Sequence, residues 1–175
     1  AQIRRARPDL AIVPFRGNVD TRLAKLRDGV ADATLLAVAG LNRLERPGVV
    51  TALLDPRAFP PAPAQGAIGL EIRTDDSRAA TLVAPLDHAP TRAAVSAERA
   101  MLAVLDGSCR TPIAAFTEFE GGGMRILGQI LLPDGSRCIE SERSGPVERA
   151  AETGAALGED LLAAAGPEFM ARLKG

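Results

Sequence analysis

The chain has 175 residues, a length that fits one large domain or two small ones. Its net charge is −1, with 46% hydrophobic and 25% charged residues, so the composition gives no reason to expect a nucleic acid or an anionic membrane as a partner. Five Phe without Trp or Tyr are a poor set for stacking bases, and one His with two Cys argues against a structural zinc site. Without a membrane-length apolar stretch or a signal peptide, a cytoplasmic protein that binds no membrane and no metal is expected.

The first third of the chain predicts alternating strands and helices. Leu10–Pro14 is a short apolar run typical of a buried strand. Asn18 is a suitable N-cap for a helix that runs to about Asp28. Ala33–Val38 predicts the next strand, followed by a short helix around 41–44. A strand–helix–strand order with apolar strands favours a parallel α/β arrangement.

The middle of the chain predicts a change of domain. Asp55–Pro63 contains four prolines and therefore indicates an extended, semi-rigid crossover. Gln65–Ile72 predicts a strand whose glycines allow a close approach, and a short helix is expected over 76–84.

The last half predicts a small α+β domain with the order αβββα. A helix over 91–105, strands over 112–120, 124–132 and 138–143, a helix over 147–165 and a last short helix after Pro167 are expected. Gly121–Gly123 and Pro133–Ser136 are strong turn signals, so the three strands should form an antiparallel sheet.

Cys109 is the first candidate functional residue. It follows Gly107 and Ser108 in a predicted loop between helix and strand, where a thiol can act as a nucleophile or an attachment point. Arg110 beside it would favour the reactive thiolate. The alternative is that Cys109 is a small core residue, as free cysteines often are, and this is our interpretation of Cys138 in its predicted strand.

Arg16, Gly17 and Arg22 form a second candidate site at a helix start. A glycine turn before a helix leaves backbone N–H groups free at the positive end of the helix dipole, and two guanidinium groups beside it could bind a carboxylate. The alternative is a pair of surface arginines around an Asn cap.

Two further segments could approach a ligand. Ala37 and Gly40 are small residues after a predicted strand, and Arg43 would project from the helix that follows, although such small residues also serve helix–sheet packing. Gln65 lies in the glycine-containing segment after the prolines and could contact a ligand or belong to a hinge. His88 is expected to be a surface or capping residue.

Four segments resemble the porphobilinogen deaminase (hydroxymethylbilane synthase) family, in the family's order and at roughly its spacing. They are R-G-N-x-x-T-R-L at 16–23, L-A-x-A-G-L-x-R-L at 36–44, the segment 63–69, and E-R-A-M-x-x-x-L-x-G-S-C-x-T-P-I at 98–113. The resemblance implies a dipyrromethane cofactor bound to Cys109 through a thioether. It also implies that the cofactor and the growing chain are bound by Arg16, Gly17, Arg22, Ala37, Gly40, Arg43 and Gln65.

The resemblance further implies a transferase of heme biosynthesis. Its members join four porphobilinogen units head to tail into hydroxymethylbilane, so porphobilinogen and the growing oligopyrrole are the expected partners of a protein that is a monomer when full length. Residues 1–60 would be part of a periplasmic-binding-like domain 2, residues 61–87 the crossover and return segment of domain 1, and residues 88–175 the cofactor-bearing domain 3. Most of domain 1, with the family's catalytic aspartate, and the start of domain 2 would be absent, so we expect this fragment to be inactive alone.

Two alternatives to the deaminase interpretation remain open. The chain could be a non-catalytic anion-binding module of the periplasmic-binding type, which would use the Arg16 region without Cys109. It could be a structural or interaction protein in which both cysteines lie in the core. A third possibility qualifies the deaminase interpretation: a truncated deaminase could fold poorly, because its return strand, Ala67–Ile72, lacks partners and promotes association.

Overall fold

The computed structural model describes residues 1–108 and 110–174, which contain six α-helices and three β-strands. The helices are α1 (Gln2–Ala6), α2 (Val19–Arg27), α3 (Val38–Arg43), α4 (Ser77–Val83), α5 (Ala89–Val104) and α6 (Ala150–Lys174), and the strands are β1 (Ile113–Glu120), β2 (Gly123–Leu131) and β3 (Cys138–Pro146). The chain divides into two compact units. We call Ala1–Pro8 with Asp55–Gly175 the sheet unit, and Asp9–Leu54 the helical unit.

The sheet unit contains the predicted αβββα arrangement. Its strands lie in the order β1-β2-β3, each antiparallel to the next, with Ile113 opposite Ile130 and Ile130 opposite Ile139. Gly121 and Gly122 adopt positive φ angles of 58° and 80° in the β1–β2 turn, a conformation that other residues rarely take. The expected small antiparallel domain is therefore confirmed.

One face of this sheet packs on α5 and α6. Along β2, Met124, Ile126 and Ile130 point to this face at every second position and are buried against Met101 of α5 and Leu161 of α6, among other core residues. β2 is the most buried of the three strands, because it lies between β1 and β3 and residues of both of its faces are buried.

The opposite face is covered by α1 and by the proline-rich crossover. The Nε2 group of Gln2 donates to the carbonyl of Pro60 at 2.9 Å and to Oε1 of Gln129 on β2 at 3.2 Å. Arg57 contacts Glu118 of β1 at 2.6 Å and Glu142 of β3 at 3.2 Å. The crossover predicted at 55–63 is therefore part of the sheet unit, where it covers the second face.

The helices predicted from the sequence are present with small shifts at their ends. Asn18 caps α2, since its Oδ1 accepts the N–H of Thr21 at 2.8 Å. In α6 the helix is interrupted at Gly166, where φ is 69° and ψ is 170°, directly before Pro167. This confirms a long closing helix followed by a short one.

The three strands predicted before residue 73 are wrong for this structure. No strand forms among the described residues of Leu10–Pro14, Ala33–Val38 and Gln65–Ile72. Val38 is instead the first residue of α3. Their apolar side chains are largely exposed, with Val13 at 51% and Ile68 at 85%. A strand needs a neighbour that pairs its N–H and C=O groups, and no described residue provides one here. The described residues therefore form no parallel sheet.

Candidate functional site

The loop that contains Cys109 follows α5. Cys109 itself lies outside the described residues, so its predicted reactivity stays a prediction. The residues on either side form a hydrogen-bonded turn: the N–H of Thr111 donates to the carbonyl of Ser108 at 3.0 Å, and the N–H of Ser108 donates to Oγ1 of Thr111 at 2.9 Å. Ser108 and Arg110 are both exposed. The two described sequence neighbours of Cys109 therefore lie on the surface of the sheet unit.

Gly107 fixes where this loop leaves the core. A Cβ on Gly107 would lie 2.6 Å from Cδ1 of Ile113 and still closer to Leu102. Both neighbours are core-side residues of α5 and β1, so the backbone at 107 passes close to the packed interior. Glycine is the residue that allows such an approach.

In the helical unit, Gly17 makes the tight turn that precedes α2. Its φ of 132° disfavours other residues, and a Cβ there would lie 2.8 Å from Cγ2 of Thr21. The carbonyl of Gly17 accepts a bond from Nε of Arg22 at 2.9 Å, and the carbonyl of Arg16 accepts one from Nζ of Lys25, also at 2.9 Å. The turn is thus held by two cationic side chains of the helix that it precedes.

Arg16 and Arg22 differ in how much of the guanidinium group is already hydrogen-bonded within the unit. Arg22 is half-buried and uses its Nε on the turn. The guanidinium of Arg16 is exposed and makes no hydrogen bond or ion pair with any described residue. Arg16 is therefore available for an anionic ligand, whereas Arg22 could bind one only with its remaining N–H groups.

The second predicted segment lies at α3. Ala37 is its N-cap residue, and the carbonyl of Ala37 accepts the N–H of Gly40 at 3.0 Å. A Cβ on Gly40 would meet nothing within 4 Å, so close packing does not explain the glycine in this structure. Arg43 is the last residue of α3 and is exposed. The space beside Gly40 and the exposed guanidinium of Arg43 are compatible with a carboxylate-bearing ligand.

An ion pair connects the two segments of the helical unit. Nη2 of Arg46, just after α3, lies 3.1 Å from Oδ1 of Asp20 in the first turn of α2. Asp20, which follows Arg16 by four positions in the sequence, is thus already paired with a cation. The helical unit contains six of the eight predicted site residues, namely Arg16, Gly17, Arg22, Ala37, Gly40 and Arg43.

Gln65 belongs to the sheet unit and lies in a turn, where its own N–H donates to the carbonyl of Ala62 at 3.0 Å. The preceding residue, Ala64, has a left-handed φ of 61°, and its N–H donates to Oε2 of Glu98 at 2.7 Å. Sequence analysis did not single out Glu98, although it is the first residue of the E-R-A-M segment. Its partner Ala64 lies 34 positions away, which no local pattern encodes.

Glu98, Cys138 and His88 differ in their surroundings. Burial raises the pKa of the Glu98 carboxyl above its ordinary value, although hydrogen bonds from Ala64 and Thr117 oppose this shift. Burial likewise raises the pKa of the half-buried Cys138 thiol, which favours the unreactive thiol form. His88 is exposed at the start of α5, where its Nδ1 lies 2.8 Å from Oγ1 of Thr91.

No helix in the described part of the chain is long and apolar enough to cross a membrane.

Comparison with known proteins defines the class to which these two units belong. The family model for the dipyrromethane cofactor binding domain of porphobilinogen deaminase matches residues 1–81, and the model for the C-terminal domain of porphobilinogen deaminase matches residues 92–163. The chain therefore belongs to the porphobilinogen deaminase family, as the sequence motifs predicted. The porphobilinogen deaminase of Paracoccus denitrificans (strain Pd 1222) is 50% identical over 169 residues, which are 97% of this chain and 54% of that relative. The chain thus spans about half the length of the relative.

Proposed function

We propose that this chain is the cofactor-carrying part of a transferase that deaminates four porphobilinogen molecules and joins them into hydroxymethylbilane. The observation that carries the proposal is the match of both deaminase domain models, in order, along one chain. The proposed setting is the cytoplasm and tetrapyrrole biosynthesis, and the proposed partners are porphobilinogen and the growing oligopyrrole. The full-length protein is proposed to be a monomer.

The cofactor is proposed to be a dipyrromethane attached to the thiol of Cys109. When bound, this group supplies the pyrrole carbon to which the first substrate is joined. The free guanidinium of Arg16 and the exposed one of Arg43 suit the acetate and propionate groups of such a ligand, since charge-assisted bonds to carboxylates are among the stronger hydrogen bonds. Arg22 would add its remaining N–H groups while it holds the Gly17 turn.

Backbone and amide groups complete the proposed site. Gly40 would let the ligand approach the main chain, since a Cβ there would meet nothing within 4 Å. Gly17 in the turn before α2 and Ala37 at the N-cap of α3 are proposed as further contacts. Gln65 would contribute its side-chain amide from the turn of the sheet unit. The aspartate that acts as general acid and base would lie in the part of the family's fold that this chain does not contain. We therefore give no carboxylate of this chain that role.

The strand segments of the first half have a place in the same proposal. Leu10–Pro14, Ala33–Val38 and Ala67–Ile72 expose apolar side chains and belong to no sheet of the described residues. We propose that they pair with strands in the part of the relative's fold that this chain does not cover. The domains formed in this way would be periplasmic-binding-like, with boundaries near residues 60 and 87. Alone, the fragment should then be inactive and prone to association.

Intact-mass measurement tests the proposal. The chain is produced alone and also completed with the remainder of the Paracoccus denitrificans relative, each beside Cys109→Ala and Cys138→Ala variants. We expect the completed protein and its Cys138→Ala variant to carry the mass of two linked pyrrole units, and the Cys109→Ala variant to lack it. A folded, completed protein without any adduct, or an adduct that persists in Cys109→Ala, would contradict the assignment.

A non-catalytic anion-binding module is the second candidate. It is favoured by the unpaired guanidinium of Arg16, which could bind a carboxylate without any contribution from Cys109. It predicts that a polycarboxylate ligand binds the Cys109→Ser variant as tightly as the unchanged chain, which isothermal titration would measure.

A further inference from the structure

Glu98 is a buried carboxylate that none of the proposed cofactor contacts uses. Its residue surface is only 8% exposed. Its two oxygens have different partners: Oε2 accepts the N–H of Ala64 at 2.7 Å, and Oε1 accepts the hydroxyl of Thr117 on β1 at 2.9 Å. A buried carboxylate is tolerated only when such bonds replace its lost hydration. Glu98 therefore connects α5, the strand β1 and the turn at Ala64.

That turn is in a conformation that its own residues do not favour. Ala64 has a φ of 61°, in the left-handed region that residues with a Cβ seldom occupy. Such a conformation persists when the surroundings impose it. The turn is also held at its start, since the N–H of Ala115 on β1 donates to the carbonyl of Pro61 at 2.9 Å.

The turn determines where Gln65 is presented. The Gln65 side chain is exposed and makes no hydrogen bond with any described residue, so only the backbone on either side fixes its position. On that backbone, Ala64 is the residue held by Glu98. The helix that carries Glu98 continues to Val104 and leads into the turn around Ser108 and Thr111, between which Cys109 lies in the sequence.

We propose that Glu98 is a positioning residue that holds the Pro61–Gly66 turn in its left-handed form and so sets the place of Gln65. It acts through the Ala64 amide and touches neither substrate nor cofactor. Its effect on the reaction rests on the proposed function, in which Gln65 contacts the cofactor, whereas its effect on the turn does not. The two effects can therefore be tested separately.

Amide hydrogen exchange measured by NMR on this chain tests the effect on the turn. Glu98→Ala removes both acceptor oxygens, so exchange at Ala64 and Gln65 should accelerate at least about ten-fold while exchange at Ile126 in the sheet is unchanged. Glu168→Ala, the same change at an exposed position of α6, is the matched control and should leave the turn unaffected. Equal exchange of Ala64 in Glu98→Ala and in the unchanged chain would overturn the proposal.

A second variant tests the strain directly. Glycine adopts positive φ without penalty, so Ala64→Gly in the Glu98→Ala background should restore part of the protection at Gln65. No restoration would mean that the left-handed residue is not what Glu98 holds. Should Glu98→Ala fail to fold, exchange in the unchanged chain decides the question. There the Ala64 amide should be protected relative to that of the exposed Ile68, and an unprotected Ala64 would overturn the proposal.

A double-mutant cycle in the completed protein tests the effect on the reaction. We expect Glu98→Ala and Gln65→Ala each to lower kcat/KM for porphobilinogen consumption about ten-fold, and the double variant to be no slower than Gln65→Ala. Losses that multiply would show that Glu98 does not act through Gln65. Full activity of Gln65→Ala would contradict the cofactor role of Gln65, while the exchange result would still decide the role of Glu98 in the turn.

Discussion

Gly154 of α6 lies directly against the backbone of Ala97 on α5. A Cβ built on Gly154 would be closer than 3.0 Å to three backbone atoms of Ala97, which real Cβ atoms essentially never are. Ala97 is fully buried and immediately precedes Glu98. The close contact of these two helices thus fixes the segment of α5 from which Glu98 reaches the Ala64 turn.

The first prediction follows from this contact. Gly154→Ala should destabilise the chain by about 1–3 kcal/mol, because backbone atoms cannot move aside as a flexible side chain could. Urea unfolding monitored by circular dichroism measures this change. Gly69→Ala is the control, since a Cβ there meets nothing within 4 Å, and its free energy of unfolding should change by no more than about 0.5 kcal/mol. Equal stabilities of the two variants would show that α5 and α6 are farther apart than described.

The second prediction concerns the Gly17 turn. Gly17→Ala introduces a Cβ that meets the side chain of Thr21 at a φ of 132°, a strain on the order of 1–3 kcal/mol. The turn should open locally, so exchange at the Thr21 amide, which Asn18 now protects, should accelerate. Gly48→Ala, in the same unit with open space around it, should leave this amide unchanged. Unchanged exchange at Thr21 in Gly17→Ala would contradict the strain.

The third prediction separates ligand binding from folding. Arg16→Ala removes an exposed guanidinium that bonds to no described residue, so the free energy of unfolding should change by less than about 0.5 kcal/mol. In the completed protein, however, it should impair cofactor assembly or elongation, which intact mass and product formation measure. Arg27→Ala, also exposed on the same unit, is the control and should be fully active. Normal turnover of Arg16→Ala would contradict its assignment.

The last half of the chain could be predicted because its elements find their partners nearby in sequence. β1, β2 and β3 are consecutive, and glycine turns join β1 to β2, so alternating burial and turn residues suffice to predict their pairing. Leu10–Pro14 shows the limit of this reasoning. An apolar run indicates that a segment is suited to a buried strand, but pairing is decided by a distant neighbour that the described residues do not include.

The candidate site shows the same division between local and distant information. The glycine at 17 and the cap at Asn18 were predicted because a turn before a helix has a local sequence signature. The role of Glu98 could not be predicted, since its partners Ala64 and Thr117 come from two other parts of the chain. The prolines of the crossover predict an extended backbone, whereas its contacts through Arg57 depend on the sheet and have no local signature.

The fourth prediction concerns the pH dependence of stability. Because burial raises the pKa of Glu98 in the folded state, the folded chain holds this proton more tightly than the unfolded chain. Stability therefore falls as pH rises from the unfolded-state pKa through the folded-state pKa. Asp160 and Asp134 have lowered pKa values, mainly through hydrogen bonds from Arg143 and Ser136, and act in the opposite sense. These effects are common to the unchanged chain and Glu98→Gln, so they cancel in the difference between the two free energies of unfolding.

Urea unfolding between about pH 4 and about pH 7 measures this difference. The stability of the unchanged chain relative to Glu98→Gln should decrease as pH rises, and an increase would contradict the raised pKa of Glu98.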